Sequence, residues 1–249
     1  MGIITKSERE IVVMRQAGKV VALVLELLKK QVQPGIQTRE LDVFAEREVK
    51  RLGAIPSFKN YRGYPACLCV SINDEIVHGI PGKRTLKEGD VVSLDFGAIY
   101  NDYQGDAALT VGIGNIGPAA SKLIETTEGS LKEGIKAARA GKRLGDLSNA
   151  IQRYAEARGF AVVRQYTGHG IGHNMHEDPL IPNYGTPGTG PLLRKGMTLA
   201  IEPMLNIGTW ETKVDDDGWT VRTMDGSISA HFEHTIAIRD DEAEVLTTV

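Results

Sequence analysis

Near the N-terminus, apolar side chains recur at helical spacing: Ile11, Met14, Ala17, Val21, Val24 and Leu28. That period predicts an amphipathic helix, and Ser7-Glu8-Arg9-Glu10 ahead of it reads as a capping box. A second helix is expected from about Thr38, with Leu41, Phe44, Ala45, Val49 and Leu52 on one face and Gly53 as its stop. Strand-like runs follow at Ala66 to Ile72, Asp90 to Tyr100 and roughly Asp106 to Ile113. The order then restarts. Pro118 opens a helix carrying Leu123, Ile124, Thr127, Leu131 and Ile135, and another carries Leu147, Ile151, Tyr154 and Ala155 before Gly159. Strands are expected near Phe160 to Tyr166, Met197 to Asn206 and Ser229 to Ile238.

The two halves share a register. Gly35 and Gly141, Leu41 and Leu147, and Gly53 and Gly159 each lie 106 residues apart. Lys87-Glu88-Gly89 and Arg194-Lys195-Gly196 each precede an apolar strand ending in an acid, Asp95 and Glu202, which lie 107 apart. This predicts a duplicated α+β unit, about 7–115 and 118–239, within one domain spanning 1–249. Each half supplies a second acid. Asp106 follows Asp95 across a turn at Asn101-Asp102. Glu233 follows Glu202 after an excursion with an expected two-residue hairpin turn at Asp217-Gly218. The run Asp215-Asp216-Asp217 lacks calcium-loop spacing and reads as a solvated turn.

Composition adds limits. Of the 249 residues, 41% are hydrophobic and 24% charged. Such a chain is an ordinary globular one, long enough to bury a core without staples. A net charge of −3 argues for neither nucleic acid nor an anionic membrane as partner. Val20 to Leu28, interrupted by Glu26, is too short to span a bilayer. Cys67 and Cys69 lie only two residues apart on a strand-like run, so no disulfide is expected between them and a reducing, cytoplasmic compartment is.

The acids carry the chemistry. Asp95, Asp106, Glu202 and Glu233 sit among apolar or small strand residues, where an ionised carboxylate is costly without compensation. Taken singly, each would pass for an ion pair at a strand end. In matched positions of a repeat they converge on one site, and four acids sharing a site raise one another's pKa unless cations intervene. His169, set among glycines in Gly168-His169-Gly170-Ile171-Gly172, joins them as a ligand candidate. An oxygen-rich site with one imidazole suits Mn, Fe(II), Co or Zn. Of six histidines, five fall between His169 and His234. His78 is a candidate counterpart of His176, while His173, His231 and His234 read as ordinary hydrogen-bonded residues.

The motifs His78-Gly-Ile-Pro, Ser93-Leu-Asp-Phe-Gly, Tyr103-Gln-Gly-Asp, Gly168-His-Gly-Ile-Gly, Met175-His-Glu-Asp-Pro, Ile201-Glu-Pro-Met and Phe232-Glu-His-Thr run in one order over nearly the whole chain. Together they resemble the type I methionine aminopeptidases, in their short bacterial form. His173 departs from the arginine expected in many relatives. The resemblance implies the pita-bread fold, two α+β halves about a pseudo-twofold axis enclosing two divalent cations. It implies that Asp106 and Glu233 bridge them, with Asp95 completing one site and His169 and Glu202 the other. It further implies hydrolytic removal of initiator methionine when the second residue is small. His176 would then stabilise the oxyanion, Glu202 would shuttle the proton and His78 would contact the scissile amide nitrogen. Phe58, Tyr61, Tyr64, Cys69, Met175 and Trp219 are the expected pocket walls, chemically apt for a thioether. The implied partners are N-terminal methionine peptides of nascent chains, with the ribosome as a candidate contact and a monomeric state. Two rivals stand beside this reading: a proline-directed aminopeptidase or prolidase, and a non-catalytic binding protein of the same fold.

Overall fold

The structure is a computed structural model describing residues 2–249. Four α-helices form where the pattern places them: α1 Glu8–Lys29, α2 Thr38–Arg51, α3 Gly117–Ala137 and α4 Leu144–Glu156. The capping box opens α1: Ser7 N–H donates to Glu10 Oε2 at 2.7 Å, and Glu10 N–H donates back to Ser7 Oγ at 3.4 Å. Gly53 and Gly159 both adopt positive φ, 73° and 87° respectively. They lie just past the ends of α2 and α4, where the left-handed conformation closes a helix. The apolar faces of α1 and α2 pack with Leu68, Val70, Leu94 and Phe96, and those of α3 and α4 with Leu199, Ile201 and Ile236. The two cores therefore lie on matched parts of the chain.

Among the described residues the main sheet has nine strands, all antiparallel to their neighbours. In spatial order they run Ile55–Pro56, Val91–Tyr100, Tyr103–Gly112, Glu233–Ala237, Thr198–Ile201, Gly168–Gly170 and Glu177–Ile181. Leu68–Ile72 also pairs with Val91–Tyr100, and Glu244–Val245 with Glu233–Ala237. Outward from the central pair, 103–112 beside 233–237, each half presents the same neighbours: 91–100 then 68–72, and 198–201 then 168–170. The strand order is thus symmetric about its central pair.

Three local expectations need correction. The Val91–Gly112 hairpin is continuous from Val91↔Gly112 to Tyr100↔Tyr103, so its second strand begins at Tyr103 rather than Asp106. Asn101 and Asp102 have φ of 45° and 66°. They make a two-residue turn whose twist suits the strands. Secondly, the runs 197–206 and 229–238 each break in two, leaving Met204–Asn206 and Ser229–His231 outside the main sheet. Pro203 has no N–H to continue the ladder, and its carbonyl accepts from Phe232 N at 3.3 Å. Both segments thus leave together in a three-stranded sheet, with Met204–Asn206 between Ser229–His231 and Ala161–Val162, the latter all that is strand in the 160–166 run. Thirdly, the hairpin Thr212–Val214 and Val221–Thr223 closes through a longer loop. Asp215 N–H donates to Thr220 O, leaving Asp217-Gly218 inside it. Its acids are engaged rather than merely solvated. Asp217 accepts from Trp219 N, Thr220 N and Thr220 Oγ1, and Asp215 pairs with Arg222 at 2.6 Å.

Candidate metal centre and substrate cavity

Partners in neighbouring strands project to one face of a sheet. Cys69 pairs with Asp95, Asp95 with Ala108, and Ala108 with Glu233. These four residues form a row, and Asp106, two residues before Ala108, shares their face. On the far side His234 pairs with Ile201 and His169 with Ala200. Glu202, next to Ile201, therefore turns to the side of Glu233, and His169 points the same way. Five strands deliver five ligand-type side chains to one face. The spacers are Ala108 and Ala200, whose methyl groups leave the room that longer side chains would fill.

The backbone is pinned where ladder bonds run out. The central strands share only two paired positions. At one end Thr235 Oγ1 donates to Asp106 O at 2.8 Å and accepts from Asp106 N at 3.0 Å; at the other Thr110 Oγ1 donates to His231 O at 2.7 Å and accepts from His231 N at 3.0 Å. Asn183 Nδ2 donates to the Glu202 carbonyl at 3.0 Å. The glycines beside His169 are required by close approach. A Cβ at Gly168 would lie 2.4 Å from Ala200 O, and one at Gly170 would lie 2.2 Å from Asp178 O.

All five side chains line one cavity of about 140 Å³. Burial, then mutual repulsion, pushes Asp106, Glu202 and Glu233 well above the carboxylate range, and burial raises Asp95 to about 7. Burial also lowers His169 to about 3, keeping the imidazole neutral. Its Nδ1 lies 2.9 Å from Gly170 O. A carbonyl oxygen can only accept, so Nδ1 carries the proton. The lone pair of Nε2, 3.6 Å from Glu202 Oε1, is left free.

The cavity walls include Phe58, Tyr61, Tyr64, Cys69, His78, His176 and Trp219, as expected. Met175 does not reach the cavity. It is buried in a cluster with Phe58 and Tyr61 and backs the wall instead, a place opened by Gly97, where a Cβ would sit 2.9 Å from the Met175 methyl. Tyr64 Oη donates to Leu68 O and Gly79 O, at 3.1 and 3.0 Å, and meets the Trp219 ring edge-on at 5.1 Å. Arg222, ion-paired to Asp74 and Glu75, ties the Trp219 hairpin to Glu75–Val77, the strand leading into His78. At the rim, exposed His176 stacks on Tyr61 at 5.4 Å and its Nδ1 lies 2.8 Å from Tyr61 Oη.

Arg62 also lines the rim, which the pattern reading missed. It belongs to no periodic segment, and its one signal was a lone charge between the pocket tyrosines 61 and 64. Of the other histidines, His173 bonds Asp102 O and His234 bonds Thr247 Oγ1, while His231 is buried with no partner for Nε2.

Residues 12–240 match the family described as metallopeptidase family M24. The chain belongs to this family. It is 54% identical to methionine aminopeptidase 1 of Bacillus subtilis, covering 99% of this chain and 100% of that one. It is 53% identical to methionine aminopeptidase of Clostridium perfringens, covering 99% of each. The solved methionine aminopeptidase of Thermotoga maritima superposes with a TM-score of 0.98 at 48% identity over the whole of both chains. Prolidase from Pyrococcus furiosus shares the fold alone, with a TM-score of 0.80 at 22% identity over 99% of this chain and 66% of that one. Within M24, then, the chain stands with the methionine aminopeptidases in the pita-bread fold.

An M24 metallopeptidase uses divalent metal, and the donor set here fits one. Asp95 Oδ1, Asp106 Oδ1 and Glu233 Oε1 are buried without a hydrogen-bond partner. One ligand atom each from Asp106, His169 and Glu233 lies within 4.8 Å of the others. Hard carboxylate oxygens and a neutral imidazole are what such a cation takes up.

Proposed function

We propose that this chain is a methionine aminopeptidase that hydrolyses the first peptide bond of proteins beginning with methionine, where the second residue is small. The observation carrying this reading is the cluster of four carboxylates and one neutral imidazole on the floor of a cavity with sulfur and aromatic walls. It occurs in a chain matched end to end by methionine aminopeptidases. Asp95, Asp106, His169, Glu202 and Glu233 would hold two divalent cations. Bound there, the cations supply Lewis acidity, which makes water nucleophilic near neutral pH and polarises a carbonyl.

The remaining work falls to side chains. Glu202, which lines the cavity beside the other acids, takes a proton from the attacking water and passes it to the leaving amine. With the Tyr61 hydroxyl donating to Nδ1, His176 presents Nε2–H to the developing oxyanion. His78 meets the scissile amide nitrogen; Phe58, Tyr61, Tyr64, Cys69 and Trp219 enclose the methionine side chain, with Met175 behind them. Burial keeps His78 neutral, at about 4, so it adds no charge to the amide.

The domain is a single catalytic one with an internal repeat over about 7–115 and 118–239. The substrate is the N-terminal methionine of nascent chains, with the ribosome as a contact, a monomer as the working form and the cytoplasm as the compartment. Both cysteines are free thiols, which suits a reducing setting. No helix of the described residues is long and apolar enough to cross a membrane.

Release of methionine from Met-Ala-Ser, compared with cleavage of an Xaa-Pro peptide, tests the reading with Mn, Fe, Co and Zn supplied in turn. Methionine release with the Xaa-Pro peptide intact is expected. The reverse preference would move the chain to the proline-directed branch, and no cleavage under any cation would favour a binding protein.

A further inference from the structure

The segment before α1 reaches the rim of the cavity from behind. Lys6 N–H donates to Gly196 O at 2.7 Å, and Thr5 bridges Met197, so this arm is fixed to the residues that lead into the Thr198–Ile201 strand. From there the Lys6 side chain runs inward. Its Nζ lies 2.5 Å from Glu177 Oε2, and the two side chains are only 3% and 7% exposed. Glu177 also accepts from Asn174 N at 3.2 Å, closing the turn that contains His176. Gly172 makes space for the pair, since a Cβ there would lie 2.5 Å from Lys6 Cε and 2.6 Å from Glu177 Oε1.

His176 is the residue next to Glu177. Its ring has a front support in Tyr61, yet it stands exposed at the rim, 4.2 Å from the His169 ring. Nothing in the sequence motifs accounts for a buried ammonium at this place. A buried ion pair is a poor source of net stability but strongly directional, because neither charge can leave its partner without being stranded.

We infer that Lys6 is a positioning residue for His176: through Glu177 it holds the imidazole at the place where the oxyanion develops. This rests on the role given to His176 above. Displacing a catalytic donor by about 1 Å can lower turnover by about 100-fold, so a distant brace of this kind shows itself in kcat.

The test uses Met-Ala-Ser at saturating Mn, with four variants: Lys6→Met, His176→Ala, the two combined, and the neutral pair Lys6→Met with Glu177→Leu. Lys6→Met is expected to lower kcat by about 10- to 100-fold with KM and bound metal little changed. Added to His176→Ala, the same substitution should cost nothing further. The neutral pair, which strands no charge, should recover the melting temperature lost by Lys6→Met without recovering kcat. An equal loss in both backgrounds, or kcat returning together with the melting temperature, would reduce the ion pair to a structural part and overturn the inference. If His176→Ala alone kept full turnover, the assignment of His176 would fail first, while methionine release itself would still stand.

Discussion

The two halves build one motif in two ways. In the first, Asp95 and Asp106 sit on a ten-by-ten-residue hairpin paired without interruption from Val91 to Gly112. In the second, the strands carrying Glu202 and Glu233 stop beside those acids, at Pro203 and Phe232, and cross into another sheet. The regular half supplies carboxylates and a flat floor. The broken half supplies carboxylates and, beyond the second sheet its strands enter, the 212–223 hairpin whose Trp219 lines the cavity. The matched strand order fixes where the acids stand, and the break in one half brings the hairpin to the cavity.

The largest effect expected from disturbing this arrangement is at the shared floor. Asp106→Asn should take methionine release below detection. In metal-free protein near pH 8 the same change should raise the melting temperature, by roughly a few degrees, because it removes one charge from a repelling cluster. Normal turnover at saturating cation would contradict a shared ligand. Next comes His176→Ala, expected to lower kcat by about 10²- to 10³-fold with metal content unchanged. Selective loss of metal instead would recast it as a ligand. Trp219→Ala touches only the excursion of the broken half and should raise KM for Met-Ala-Ser by about tenfold, with a smaller change in kcat. An unaltered KM would remove Trp219 from the pocket.

The smallest effect is on stability against pH. Asp95 is held at about 7 in the fold against about 4 when unfolded, and Asp106, Glu202 and Glu233 shift in the same upward sense. A raised folded pKa gives stability that is complete below the unfolded value and lost as pH rises through the folded one. Chelated protein should therefore lose melting temperature from pH 5 to pH 8 relative to protein saturated with divalent cation, while the buried neutral imidazoles of His78, His231 and His234 add the opposite slope to both. The same dependence on pH with and without cation would mean the acids do not repel one another.

Much of this was legible before any coordinates. Helix ends were carried by local chemistry, Ser7 with Glu10 and the glycines past α2 and α4, and the ligand positions by a register that survives duplication. The strand breaks were not, because apolar alternation runs straight through Glu202-Pro203 and Phe232-Glu233. Only the change of sheet reveals that the ladder is exchanged there. Met175 shows a related limit: residue type suggests what suits a thioether, while its packing with Phe58 and Tyr61 sets how near it stands. Arg62 and Lys6 escaped because single charges outside a periodic segment look alike until their surroundings are known.

The row Asp95, Ala108, Glu233 crosses the seam at which the two copies meet. On the donor set proposed above neither half is complete, so cation uptake would depend on their docking. By linkage, every cation taken up acts as a clasp on that seam. Stripping the cations should therefore loosen the contact between the copies before it unravels either core.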